Sequence, residues 1–499
     1  MDSPPTRSPT DNSSSTGSTD ELHLLLSEAA KVFSEYARDS LHPHATIVTA
    51  ATPSDIASQL DLTFPDSGTG HPGIWKDIRN VCITATNTWS DRFLYKLYAA
   101  PTPIGVVSET LMALLNNNAH VFQSSPAGAV LEAAVGTKLA EMANFSTKTA
   151  AGLTFPGGSY SNMHALMVAR NQRFPELKHG GIVALAKADV RPVIFTSAHA
   201  HYSIEKSQLL RVSDSTMLSV CPQMIGIAAG GTPFFVNATA GTTELGIWLH
   251  VDGSWGSPLA LFADPSVFEY PIPAGRINSL TINPHKLLVV MRETLGLNAS
   301  YLFHSAPEDD ESADGFGLHQ QKQNLAGAGT LATPRWDVIW ISWRYYGTKY
   351  FSDRVGRARQ LAVEFADMIT SRNTTCTSEP GNWKLFVRPQ SICVCFWFIP
   401  HSEADRHGGR KNNNGSTNPQ CWWGDVTKAL CNRVNATGKL LLDYACVDRF
   451  APTSVPSEYN KNTVPFFFRI PFNSPGVTVD TLEAILNSIE LAARHLYSN

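Results

Sequence analysis

The 499-residue sequence contains no uninterrupted run of 18 apolar residues, so no membrane-spanning helix is expected. It also lacks a strong charge of either sign. Its 39 Lys and Arg against 43 Asp and Glu leave a net −4, which supplies no electrostatic attraction to nucleic acid or to an anionic membrane. Its 8 cysteines form no Cys-x-x-Cys pair, and no metal is expected. Cys393 and Cys395 share one face of a strand-like run and read as small core residues. Scattered cysteines of this kind suit a reduced, cytoplasmic protein. Residues 1–20 are Ser, Thr, Pro and Asp without an apolar core, which excludes a secretory signal and predicts a disordered leader. There is no internal repeat.

What is present is a large reserve of core residues: 43% of the chain is hydrophobic and 16% charged, enough for more than one domain. The expected division is a leader over 1–20, a helical segment over 21–100, a large domain over 101–348 and a smaller domain over 349–499, with a flexible insertion at 401–420. Apolar spacing predicts helices over 21–38, 105–115, 127–142 and 352–369, and a last one from about Thr478. Residues 49–72 read as loop. From Thr154 onward strand, loop and helix alternate, which is the pattern of a parallel sheet in an α/β fold.

The chemistry gathers between Ile247 and Lys286. One apolar run (Trp248, Leu249, Val251) ends in Asp252, and another (Leu280, Ile282) leads to Lys286. Such runs read as buried strands carrying a reactive group at the carboxyl end, where α/β folds hold their ligands. A buried carboxylate and a buried amine are costly unless something uses them. Pyridoxal phosphate uses both: a lysine holds its aldehyde as a Schiff base, and an acid keeps its ring nitrogen protonated. The glycine-rich Phe155-Pro-Gly-Gly-Ser-Tyr-Ser-Asn162 opens a helix whose free N–H groups can hold a phosphate. Alone, such a turn is more often an ordinary strand-to-helix connection. His199-Ala-His201 has no third metal ligand nearby, so His201 suits a stacking or polar pocket role.

Four segments in order resemble the group II pyridoxal-phosphate decarboxylases, most of all the glutamate and cysteine-sulfinate branch. They are Phe155 to Met163, Asn237-Ala-Thr-Ala-Gly-Thr-Thr243, Trp248-Leu-His-Val-Asp252 and Asn283-Pro-His-Lys286. The resemblance runs from about Asn87 to the C-terminus. It implies a fold of the aspartate-aminotransferase type (fold type I): a large domain on a mostly parallel seven-stranded sheet, and a smaller α+β C-terminal domain. It also implies pyridoxal 5'-phosphate as cofactor, an amino acid as substrate, and a homodimer with the active site at its interface. Carried over residue by residue, Lys286 binds the cofactor aldehyde, Asp252 pairs with the ring nitrogen and His201 stacks on the ring. Tyr160, Ser161, Ser279, Asn283 and His285 surround the phosphate, Thr243 lies near the cofactor's substituents, and Arg469 takes a substrate carboxylate. Ser254 stands where the family has alanine and places an extra hydroxyl under the ring.

Two departures stand out. The family carries a helix between the strands that end near Thr243 and Asp252, yet only Glu244-Leu-Gly246 separates Thr243 from Ile247. A normal crossover needs a dozen or more residues. Either the helix is lost and the strands are rearranged, or the sequence lacks an exon. In addition, no tyrosine occurs from Leu302 to Arg344, where the family's proton donor lies, so His319 becomes the candidate donor. Decarboxylation to the amine and CO2 leads. The alternatives are an aldehyde synthase, carbon–carbon bond formation and an impaired homologue. Lys96 matches a substrate-contacting position. Pointing inward it favours aspartate, glutamate or a sulfinate, and pointing outward it is a solvated lysine, while Phe93, Tyr95 and Tyr98 leave an aromatic substrate open.

Overall fold

A computed structural model describes residues 13–49, 51–117, 122–155, 157–177, 183, 185, 187, 190, 192–196, 200–201, 203–204, 218–220, 232–238, 247–263, 277–288, 294–298, 336–375, 380–408, 421–447 and 464–497. The chain divides into two compact units, residues up to Phe93 with Val434–Leu441, and Leu94–Arg433 with Leu442–Asn499. No helix of the described residues is long and apolar enough to cross a membrane.

The first unit holds the helices Ser13–Ser40, Pro53–Gln59 and Gly70–Thr84. The first begins at Ser13, inside the stretch expected as leader; residues 1–12 lie outside the described residues. Pro53–Gln59 falls where a loop is expected, and its cause is local. Thr52 and Asp55 form a reciprocal capping box behind a proline at the first turn. Ile47 ties the unit together, donating its N–H to Gly438 and accepting from Asn87, both at 2.7 Å.

The second unit is built on two sheets. The larger has seven strands: β1 Ala151–Phe155, β2 Pro192–Thr196, β3 Leu218–Val220, β4 Thr232–Ala238, β5 Trp248–Asp252, β6 Ser279–Ile282 and β7 Thr294–Asn298. Their order is β1-β7-β6-β5-β4-β2-β3, and β7 alone runs antiparallel to its neighbours. The helix Gly158–Arg173 follows β1. Every residue of β6 is buried, as a strand covered on both faces requires.

The short link predicted to disturb this sheet does not. β4 and β5 are direct parallel neighbours, with Phe235 opposite Trp248 and Ala238 opposite Val251. The connecting residues, 239–247, have to recover only about three residues of strand rise and cross one strand spacing, roughly 11 Å in all. Nine extended residues reach about 30 Å. The strand order therefore survives a connection too short for the usual helix.

The second sheet is antiparallel, β10-β11-β9-β8, formed by β8 Gly381–Leu385, β9 Cys393–Pro400, β10 Asp443–Val447 and β11 Val464–Pro471. Phe396, Trp397, Phe398 and Phe468 on it are at most 1% exposed. The helix Trp336–Thr375 leads into this sheet and breaks at Gly347, whose φ of 77° lies in the left-handed region open to glycine. Within the segment expected as a flexible insertion, His401–Gly408 is helical, and 409–420 lie outside the described residues.

Phe468 is fully buried and stacks on Phe396 at 5.2 Å. Phe468→Ala is expected to destabilise the fold by about 3–5 kcal/mol. Val387→Ala, at a position 56% exposed, should change stability by less than about 0.5 kcal/mol in the same denaturant titration.

Candidate active site

β5 alternates, so Trp248, His250 and Asp252 share one face, and Asp252 closes the strand at its carboxyl end. The chain then turns through Gly253, where an added Cβ would lie 1.7 Å from Ser257 Oγ, so no side chain fits. This turn brings Ser254 back onto the carboxylate: its hydroxyl donates to Asp252 Oδ1 at 2.6 Å and its N–H at 3.1 Å. Asn162 Nδ2, from the helix after β1, donates to the other oxygen at 2.8 Å. Burial pushes the Asp252 acid up, but Ser254, the nearby His250 and Asn162 outweigh it and hold the carboxyl below its ordinary value.

Lys286 sits on the turn Pro284–Leu287 that follows β6. Burial depresses its basicity, with the Asp252 charge partly opposing. Its Nζ lies 6.0 Å from the centre of the Trp255 ring. Arg354 braces the end of this turn, donating from Nε to the Leu287 carbonyl at 3.0 Å and from Nη2 to the Asn473 carbonyl at 2.5 Å.

The start of Gly158–Arg173 has no side-chain cap, because Gly157 (φ 105°) stands in the cap position. First-turn N–H groups without a cap are the usual seat of a phosphate. Ser161 lies in this turn, with its hydroxyl 2.8 Å from Thr281 Oγ1, while Tyr160 is 52% exposed. Asn283, next to Lys286, has a buried Oδ1 without a partner among the described residues, and a Cβ on Gly158 would lie 3.1 Å from its Nδ2. His285 lies on the Lys286 turn itself. An amine of lowered basicity, a carboxylate held charged and an uncapped helix start fit pyridoxal phosphate.

Ser279 has a different part from the phosphate role expected of it. Its hydroxyl accepts from Trp248 Nε1 and meets His250 Nδ1, both at 2.8 Å, which leaves no hydrogen to donate to a phosphate oxygen. His201 Nδ1 is held by Ser203, from Oγ at 2.8 Å and from N–H at 3.3 Å. Thr243 and His319 lie outside the described residues.

Arg469, on β11, faces Asp443 across the strand pair and donates to its Oδ2 at 2.6 Å. Lys96 donates to Oδ1 of the same carboxylate at 3.4 Å from a left-handed backbone (φ 56°), so the two expected substrate cations converge on one acid. Arg469 also lines a cavity of about 360 Å³ with Leu97, Trp255, Leu259, Gln390 and Cys393. Its Nε is buried and unpartnered among the described residues. Burial pushes the Cys393 and Cys395 thiols up to about 12 and about 11, so both stay protonated.

The sequence model of the pyridoxal-dependent decarboxylase conserved domain matches residues 53–399. The chain belongs to this family. It is a pyridoxal-phosphate-dependent carboxy-lyase. It is 31% identical over 395 residues to L-aspartate decarboxylase dtxS4 of Metarhizium robertsii, covering 70% of this chain and 74% of that protein. It is 27% identical over 492 residues to acidic amino acid decarboxylase GADL1 of Bos taurus, covering 89% and 85%. Among solved structures, mouse CSAD shares the fold with a TM-score of 0.79 at 21% identity over 95% of this chain and 98% of that one.

Sequence reasoning missed Asn162, His250, Ser203, Thr281, Arg354 and Asp443. The first two lie inside the motifs, and the period of two that puts His250 beside Asp252 was a usable signal. Arg354 and Asp443 reach the site through tertiary packing alone.

Fully buried His250 is lowered from 6.5 to about 4, chiefly by burial, with Asp252 opposing. As pH falls from about 6.5 toward about 4, the unfolded chain binds a proton that the folded chain refuses, and stability is lost by up to about 3 kcal/mol. A denaturant midpoint followed from about pH 7 to about pH 4 should fall more steeply for the wild type than for His250→Gln.

Proposed function

We propose that the protein releases CO2 from a short acidic L-amino acid, aspartate, glutamate or cysteine sulfinate, leaving the amine. The observation that carries this reading is Arg469: a partly exposed guanidinium whose buried Nε has no partner among the described residues, at an otherwise largely apolar cavity. A planar guanidinium in such a place suits a carboxylate. With Lys96 it gives two cations against the single Asp443 carboxylate, so the cluster retains one positive charge for an anionic substrate. The names of the relatives, aspartate and acidic amino acid decarboxylases, point the same way. They favour the amine-forming reaction over the aldehyde synthase or the impaired homologue.

When bound, pyridoxal phosphate supplies an electron sink for the bond that breaks at the α-carbon. Lys286 anchors its aldehyde, and Asp252, with Ser254 beside it, holds the ring-nitrogen proton. Tyr160, Ser161, Asn283 and His285 hold its phosphate at the uncapped helix start. His201 lies on the ring face and Thr243 beside the cofactor's substituents. Arg469 would hold a substrate carboxylate and so orient the substrate, a positioning contribution. Trp255 and Leu97 keep water from the reacting carbon, and His319 returns the proton that replaces CO2. Residues 101–348 form the cofactor domain and 349–499 the smaller one.

We also propose a cytoplasmic homodimer with the active site at its interface. The free thiols Cys82, Cys393, Cys395 and Cys431 suit a reducing compartment. The helix Pro103–Leu115 exposes Val107, Leu111, Leu114 and Leu115 on one stripe, an apolar face for a second copy.

Purified with pyridoxal phosphate, the wild type is expected to show a visible Schiff-base absorption that Lys286→Ala abolishes. An amino-acid panel read by CO2 release and product mass should favour acidic substrates, and Arg469→Ala should raise their KM by about tenfold or more. Turnover of aromatic amino acids alone would overturn the substrate reading, and aldehyde with peroxide would overturn the reaction.

A further inference from the structure

Beneath the site runs a chain of hydrogen bonds whose polarity can be worked out donor by donor. Asp252 is held as a carboxylate and can only accept. Asn162 therefore presents its Nδ2 to Asp252 at 2.8 Å and, with its second hydrogen, to Ser203 Oγ at 3.0 Å. This leaves Asn162 Oδ1 facing His250 Nε2 at 3.1 Å, so Nε2 must carry the imidazole proton. His250 Nδ1 is then an acceptor, and Ser279 Oγ donates to it while accepting from Trp248 Nε1. At the other end, Ser203 donates to His201 Nδ1, which puts the His201 proton on Nε2 as well. The donors run one way, from Trp248 through Ser279, His250 and Asn162 to Ser203 and His201, with Asp252 as a side branch.

We propose that Asn162 is a positioning residue, locked in one orientation by His250, whose amide fixes Asp252 and His201 against the cofactor together. The inference rests on the reading of Asp252 and His201 as cofactor contacts. A flipped amide would set its oxygen against the Asp252 carboxylate and its N–H groups against the Nε2–H of His250. Water cannot replace a lost link among the inner members: Asn162, Ser203 and Ser279 are 1% exposed and His250 is 0%, while His201 at the end is exposed. Burial holds His250 at about 4, so the ring stays neutral throughout the neutral range. The single amide thus couples the group beneath the ring nitrogen to the group on the ring face.

The test compares His250→Gln, which supplies an amide donor near the Nε2 position, with His250→Phe, which fills the space without one. Cofactor affinity is read by titrating the apoprotein with pyridoxal phosphate, and ring placement by visible circular dichroism of the loaded protein. His250→Gln should bind within about twofold of the wild type, and His250→Phe roughly tenfold more weakly with a reduced visible signal. Ser203→Ala, which removes the hydroxyl between Asn162 and His201 and leaves only the 203 backbone N–H on His201, should change the visible signal while leaving affinity within about twofold. Wild-type affinity and signal in His250→Phe overturn the proposal, as does equal damage in Gln and Phe, which would mean packing alone. If His250→Phe does not fold, Asn162→Asp decides. It sets a second acid against Asp252, and the pH at which the visible band changes should move; an unmoved titration overturns the proposal. A wild type that binds no cofactor would instead refute the underlying assignment of Asp252 and His201.

Discussion

The Asp252 carboxylate is the constraint around which the rest of the site is arranged. A half-buried acid at the end of a strand tends to neutralise itself, and here three donors prevent it. Two come from the Gly253-Ser254 turn, which folds back only because residue 253 has no side chain. The third comes from Asn162, one turn into the helix that also offers its uncapped start to a phosphate. The same short helix segment therefore carries both a donor to Asp252 and an uncapped first turn. Ser254, a departure from the family pattern, strengthens this arrangement, since its hydroxyl makes the shortest contact to the carboxylate.

One side chain reaches both the Lys286 turn and the chain that follows the Arg469 strand. Arg354, from the long helix, donates to the carbonyl that ends the Lys286 turn and to the Asn473 carbonyl shortly after the Arg469 strand. Burial lowers this guanidinium to about 10, with Tyr350 opposing, so it remains charged while satisfied largely by carbonyls. Asp443 likewise gathers Arg469 and Lys96. Positions set by buried charge-assisted bonds hold their geometry better than those set by exposed pairs.

Much of the fold was legible because its signals are local. Apolar runs ending in Asp252 and Lys286 announced β5 and β6, and the strand–helix alternation announced a parallel sheet. The capping box at Thr52 was equally local and went unread. What could not be read depends on pairing. Ser279 looked like a phosphate ligand by its place in the motif, yet the register that sets it opposite His250 spends its hydrogen inside the sheet. The three-residue gap before Ile247 suggested rearranged strands or a missing exon; the strands are not rearranged, since β4 pairs directly with β5. Lys96, undecided between inside and outside, reaches Asp443, hundreds of residues away in sequence, with its side chain still 55% exposed.

The central claim, that a permanently charged Asp252 makes the cofactor ring an electron sink, is tested most directly by single-turnover CO2 release in Asp252→Asn. Asparagine keeps the size and can still accept from Ser254, while Lys286 retains the cofactor. The account predicts a loaded, coloured variant whose CO2 release from its acidic substrate falls by about 10²-fold or more. A loaded variant releasing CO2 at the wild-type rate would contradict it.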